Sequence, residues 1–220
     1  MAAPPGPPRR LADRATAGRR LADRLTAWRA EDPLVLALPR GGVPVGYEVA
    51  RALGAPLDVL VVRKIGAPGN PEYGLGAVAE GGFLYLDAER VAEAGLSERA
   101  LAPEIRAEER EVERRARVYR EGRPRTPLAG RTVVLVDDGV ATGGTAIAAC
   151  RAVRAAGARR VVVALGVCPP DTVPALAREA DAVVTVLEPA PFFAVGEWYD
   201  VFDQTSDAEV LALLAAAVRR

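Results

Sequence analysis

Residues 131–146, R-T-V-V-L-V-D-D-G-V-A-T-G-G-T-A, constrain this chain more than any other stretch. Residues 133–136 are apolar without a break, and three of the four are valine. Such a β-branched run suits a strand buried on both faces, as in a parallel sheet. Asp137 and Asp138 follow at once, then a turn of small residues, then a helix expected to begin near Thr145. Strand, glycine turn and helix start make an anion site, because the first amides of a helix lack internal partners and its dipole favours negative charge.

A phosphate monoester fits that turn. Gly143 and Gly144 let the backbone approach a ligand, and Thr142 and Thr145 add hydroxyl donors. Gly139, Val140 and Ala141 complete the turn. The paired carboxylates would repel a phosphate, so Asp137 and Asp138 should face another part of the ligand, such as vicinal hydroxyls or a metal-bound sugar. The ligand implied is a ribose 5-phosphate unit. With neither G-K-[ST] nor G-x-G-x-x-G, the turn is neither a Walker loop nor a dinucleotide fingerprint.

A second strand-to-loop junction lies earlier. Residues 33–38 read as a strand running into Pro39-Arg40-Gly41-Gly42, with a helix expected over residues 45–53 and Gly54 after it. Gly41 and Gly42 offer a second phosphate cradle, and Arg40 a bidentate donor fork. Residues 57–62 read as one buried strand ending in Arg63-Lys64, at the strand end where ligands bind in open α/β sheets. Lys64 is the chain's single lysine among 29 basic residues, and a guanidinium does not replace a compact ammonium.

Elsewhere the pattern alternates strand and helix, predicting a parallel α/β sheet with flanking helices in one domain. Leu11, Ala15, Gly18, Leu21, Leu25 and Trp28 have helical spacing, so an N-terminal helix should cover the sheet beneath an arginine-rich outer face. Residues 66–73 read as a loop, and residues 75–79 and 83–86 as a hairpin around Gly81-Gly82. Residues 88–94 read as a short helix. Residues 97–120 make a charged helix with Pro103 in its first turn and an apolar stripe narrow enough to anchor it only lightly. After the central motif, strands are expected over residues 161–167 and 182–187, a helix starting at Pro169-Pro170-Asp171, and a last helix capped by Ser206. Residues 188–207 hold five of the eleven aromatic residues, among them Trp198 and Tyr199, and either stack a flat heterocycle or pack on the core.

Composition removes several alternatives. The chain has no histidine, so histidine bases, Ser-His-Asp triads and histidine-held metals are excluded. Its 29 basic and 29 acidic residues balance, which argues against a broad nucleic-acid surface. Cys150 and Cys168 form no C-x-x-C motif and suit a reducing compartment. The proline-rich start lacks the apolar stretch of a signal peptide, and the longest apolar run, residues 210–218, is too short for a bilayer. A cytoplasmic protein is expected.

Strand, acid pair and T-G-G-T turn together resemble the PRPP-binding motif of type I phosphoribosyltransferases, with VVLVDDGVATGGTA as the matching run. The resemblance implies transfer of ribose 5-phosphate from PRPP to a nitrogenous base, with release of pyrophosphate, or the reverse. It implies Mg²⁺, carried mainly by PRPP and also met by Asp137 and Asp138. The phosphate would sit on the amides of Ala141, Thr142, Gly143, Gly144 and Thr145, with Gly139, Val140 and Arg63 also lining the substrate site. Arg40, Gly41, Gly42 and Lys64 would face pyrophosphate, with a cis peptide bond before Arg40. A mobile lid within residues 66–130 and a hood over residues 188–207, with Trp198 and Tyr199 toward the base, are implied as well. The partners would be PRPP and a small heterocyclic base, without membrane or nucleic acid; a homodimer stays open. Some members of the family bind PRPP as regulators without transferring it, and that alternative stays open too.

Overall fold

A computed structural model describes residues 10–218; the proline-rich start, residues 1–9, lies outside them. Its centre is a parallel five-stranded sheet of β1 (Leu34–Ala37), β2 (Leu57–Val59), β6 (Thr132–Gly139), β7 (Arg160–Val167) and β8 (Ala182–Leu187), in the order β2-β1-β6-β7-β8. The continuous apolar runs are explained by burial on both faces. Val134 and Val136 face one core with Val35 and Ala37; Val133 and Leu135 face another with Leu34 and Leu36. Successive side chains of a strand point to opposite faces, so only an unbroken run fills two cores.

Helices α1 (Arg14–Arg24), α2 (Gly42–Leu53) and α7 (Asp207–Val218) contribute to the first core through Leu21, Val43, Val49, Val210 and Leu214. Helices α5 (Gly144–Ala155) and α6 (Val173–Ala177) contribute to the second through Ala149, Cys150, Val153 and Leu176. Both cysteines are buried and unpaired. Among the described residues no helix is long and apolar enough to cross a membrane. Asp13 caps α1, its carboxylate accepting from Thr16 N at 2.6 Å. The buried stripe of α1 is Ala17, Gly18, Leu21 and Ala22, so Ala17 replaces the expected Ala15.

Between β2 and β6 the chain leaves the sheet. Residues 57–62 are not one strand: β2 stops at Val59 and β3 (Val62–Ala67) begins a separate antiparallel sheet with β4 (Asn70–Ala79) and β5 (Phe83–Leu86). Leu60 and Val61 are buried in the passage, so their apolarity hides the change of sheet. Residues 66–73, expected as a loop, are mostly strand, with irregular register on both sides of Gly66. The hairpin joining β4 to β5 is as expected. Helices α3 (Ala88–Glu93) and α4 (Glu98–Arg120) follow, with Pro103 in the second turn of α4 rather than the first.

Helix α4 is firmly anchored, contrary to the reading of a thin stripe. Leu101, Ile105, Val112 and Tyr119 are all buried, and Tyr119 Oη donates to Asp207 Oδ1 at 2.8 Å. At its end Arg120 is buried, with Asp58 and Glu80 buried around it. Its Nε lies 3.1 Å from Asp58 Oδ1, Nη1 pairs with Glu80, and Nη2 donates to Val59 O at 2.7 Å. The remaining carboxylate oxygens accept from Thr126 N and Val61 N. Every charge in this knot therefore has a partner, which a buried ion network requires. It ties the end of β2, the β4–β5 turn and α4 together beside the point where the chain changes sheets.

Candidate active site

The topology places a crevice. From β1 the chain passes through α2 to β2 on one side; from β6 it passes through α5 to β7 on the other. β1 and β6 are neighbours, so their carboxyl ends flank a switch point, where open α/β sheets bind ligands. A cleft of about 590 Å³ opens there. It is lined by residues from both expected loops, from β3 and from α4.

The first wall is the end of β6. Val140 N donates to Val167 O at 3.0 Å, but the amides of Ala141, Thr142, Gly143, Gly144 and Thr145 make no backbone bond to the described residues. The first turn of α5 closes only with Ile147 N donating to Gly143 O. Gly143 adopts φ +76°, and a Cβ there would lie 2.8 Å from Thr172 Cγ2. Only glycine meets both conditions without strain. Thr172 Oγ1 in turn donates to Ala141 O at 2.9 Å and holds the turn open. Val140 contributes backbone alone, its side chain being part of the core.

The second wall is the end of β1. The Pro39–Arg40 peptide bond is cis, as expected. Gly42 N is already bonded to Leu38 O, whereas the amides of Arg40 and Gly41 make no backbone bond to the described residues. Gly41 also gives room to the acid pair, since a Cβ on it would lie 2.1 Å from Asp138 Oδ2. The Arg40 guanidinium leans toward α7, 4.0 Å from Asp207. The third wall is β3 with α4. Lys64 is exposed there, with no ion-pair partner among the described residues. Arg63 is held by Glu108 at 2.6 and 3.2 Å, a bond that raises the arginine's pKa. These two cations stand on the first strand of the antiparallel sheet, not at the end of β2 as expected.

At the floor lie the carboxyls of Asp137 and Asp138. Desolvation raises the Asp137 pKa well above the usual carboxylate range, and the Asp138 charge raises it further. One oxygen of each is committed. Asp137 Oδ1 accepts from Asp138 N at 2.9 Å, and Asp138 Oδ2 accepts from Arg14 Nε at 2.8 Å. Among the described residues no group of three or more His, Cys, Asp or Glu side chains is placed to hold a metal. Two carboxylates beside free amides suit a hydrated Mg²⁺ held mainly by ligand phosphates.

Trp198 and Tyr199 do not line the cleft. Tyr199 is 1 % exposed, its ring stacks on Phe202 at 5.0 Å, and its hydroxyl is spent on Asp138 O. Trp198 O accepts from Leu11 N in a seam between the N-terminal segment and this loop. The aromatic surface near the turn over residues 141–145 is instead Phe192 and Phe193, in an adjoining hollow of about 510 Å³ that shares Ala141 and Thr142 with the cleft. Phe193 is 78 % exposed. Sequence reasoning also missed Arg14, Thr172, Glu108 and Arg115. Arg14 and Arg115 sit in arginine-rich stretches where no spacing distinguishes one guanidinium from the next.

A family model for the phosphoribosyl transferase domain matches residues 13–200. Two Mycobacterium tuberculosis proteins, from strains CDC 1551 and H37Rv, each provisionally named a phosphoribosyl transferase, are 51% identical over 207 residues. The match covers 94% of this chain and 47% of each relative, so the chain spans about half the length of the curated relatives it matches. The crystal structure of TT1426 from Thermus thermophilus is similar at a TM-score of 0.83 with 46% identity, covering 94% of this chain and 98% of that one.

Proposed function

The chain belongs to the phosphoribosyl transferase family, and from that premise we propose that it transfers the ribose 5-phosphate unit of PRPP to a nitrogenous base, releasing pyrophosphate, or runs the reverse reaction. The observation that carries this reading is the run of unpaired amides over residues 141–145 beside two carboxylates at a sheet switch point.

In this reading the amides of Ala141, Thr142, Gly143, Gly144 and Thr145 hold the 5-phosphate. Asp137 and Asp138 accept from the ribose hydroxyls through their uncommitted oxygens. The amides of Arg40 and Gly41, with Lys64, take the pyrophosphate. Mg²⁺, when bound with PRPP, neutralises charge on the departing pyrophosphate. Cleavage at C1 builds positive charge on the sugar ring, and the carboxylates below favour it electrostatically. The remaining advantage is orientation of sugar and base, which needs no histidine. Phe193 is an exposed aromatic face in the hollow that adjoins the phosphate turn, and a flat heterocycle suits it. In this scheme the lid lies within residues 66–130 outside the anchored α4, which walls the cleft instead. Two buried unpaired cysteines agree with a cytoplasmic enzyme.

The test is calorimetric titration with Mg²⁺ and PRPP, followed by a screen of purine and pyrimidine bases for pyrophosphate release. Binding with release in the presence of one base supports a transferase. Binding without release from any base supports a regulatory PRPP sensor. Absence of binding overturns both.

A further inference from the structure

The N-terminal helix delivers one side chain into the acid pair. Arg14, the first residue of α1, donates from Nε to Asp138 Oδ2 at 2.8 Å, and both side chains are only 13% exposed. The guanidinium is fixed on its other sides. Nη1 donates to Asp203 O at 2.7 Å, and its carbon lies 4.0 Å over the Phe202 ring. Phe202 stacks on Tyr199, whose hydroxyl donates to Asp138 O. A closed circuit thus runs from Arg14 through Phe202 and Tyr199 to Asp138 and back. It fixes the aspartate by both its carbonyl and its carboxylate.

We propose that Arg14 is a positioning residue for Asp138: by holding Oδ2 it leaves Oδ1 as the one oxygen presented to the sugar. The inference rests on the phosphoribosyl reading above. Its physical basis is geometric: with Oδ2 gripped by a fixed guanidinium and the main-chain carbonyl held by a phenol, Asp138 has one oxygen left, in a set direction, to accept from a ribose hydroxyl. Arg14 bonds Asp138 and not Asp137, so the effect falls on this member of the pair. Arginine suits the task because it stays charged and its planar fork reaches Asp138, Asp203 and the Phe202 face at once.

Binding of ribose 5-phosphate, 2-deoxyribose 5-phosphate and inorganic phosphate to the whole chain tests this, with wild type, Arg14→Gln, Arg14→Lys and Arg10→Gln compared by calorimetric titration at one fixed pH. Arg10 Nη2 bonds Tyr199 O in the same seam without touching the acid pair, so Arg10→Gln controls for mere loosening. The expected result is that Arg14→Gln keeps its affinity for inorganic phosphate. Its preference for ribose over deoxyribose should fall about tenfold, the scale of one hydrogen bond to a charged group. Arg14→Lys should recover part of the preference, because an ammonium can still hold Asp138 Oδ2. A preference in Arg14→Gln unchanged within about twofold, or an equal loss in Arg10→Gln, overturns the proposal while the phosphoribosyl reading survives. A wild type that does not distinguish ribose 5-phosphate from inorganic phosphate overturns both.

Discussion

The hydroxyl of Tyr199 donates to the carbonyl oxygen of Asp138 over 2.6 Å, joining the C-terminal loop to the residue at the floor of the cleft. Burial first, and the charges of Asp138 and Asp137 next, push the phenol well above its usual pKa, so it remains a donor throughout the neutral range. Tyr199→Phe leaves that carbonyl without its partner. An unsatisfied buried acceptor costs about 1–3 kcal/mol, and urea denaturation should report a loss on that scale. A midpoint equal to wild type would mean that the bond contributes nothing.

Asp137→Asn should stabilise the fold while weakening the ligand site. The folded chain holds the Asp137 proton to a higher pH than the unfolded chain, whose aspartates titrate near 3.8. Ionising it in the fold therefore costs stability as pH rises from that value toward the raised one, and the amide escapes the cost. The side-chain oxygen of the introduced asparagine can still accept from Asp138 N. The melting temperature of the variant should exceed wild type at about pH 8 and converge with it at about pH 4. The opposite trend, a gap widening toward acid, would reverse the assignment.

Arg120→Met should be among the most damaging single changes in the chain. It leaves Asp58 and Glu80 buried without their cation, a loss on the order of 3–5 kcal/mol. Equilibrium unfolding that differs from wild type by less than about 1 kcal/mol would show water reaching the pair.

Gly143→Ala should damage both stability and phosphate affinity. Its φ of +76° costs an alanine about 1–2 kcal/mol. The contact with Thr172 also pushes the turn away from the amides it presents. Calorimetry with inorganic phosphate should register weaker binding; unchanged affinity would move the anion site elsewhere.

Lys64→Arg should weaken binding of PRPP with Mg²⁺ although the charge is kept. The ammonium stands at the cleft edge on β3, where a compact cation can close on pyrophosphate oxygens and a broader planar fork cannot match it. An affinity within about twofold of wild type would show that only charge matters there.

The parallel core was readable because its strands must be apolar at every position, and residues 133–136 satisfy that without ambiguity. The two loops were readable because Gly41 and Gly143 occupy positions where a Cβ would collide. The break after Val59 was not, since Leu60 and Val61 would be buried in either sheet. Sequence left Tyr199 open between stacking a ligand and packing on the core, because an aromatic ring looks the same there whether it faces a ligand or, as here, a partner ring and a carbonyl. The ties from Arg14 and Arg120 span 124 and 62 residues, and local pattern carries no information over such distances.

The knot of Asp58, Arg120 and Glu80 also bears on how such a chain can change over generations. Replacing all three by apolar residues of similar volume can be neutral or favourable, but removing one strands a buried charge. Any route made of single substitutions therefore begins with a step that a marginally stable protein tolerates poorly. The three positions are expected to persist or disappear as a set among descendants. The arrangement can outlast any benefit it once gave, kept in place by the absence of a viable first step.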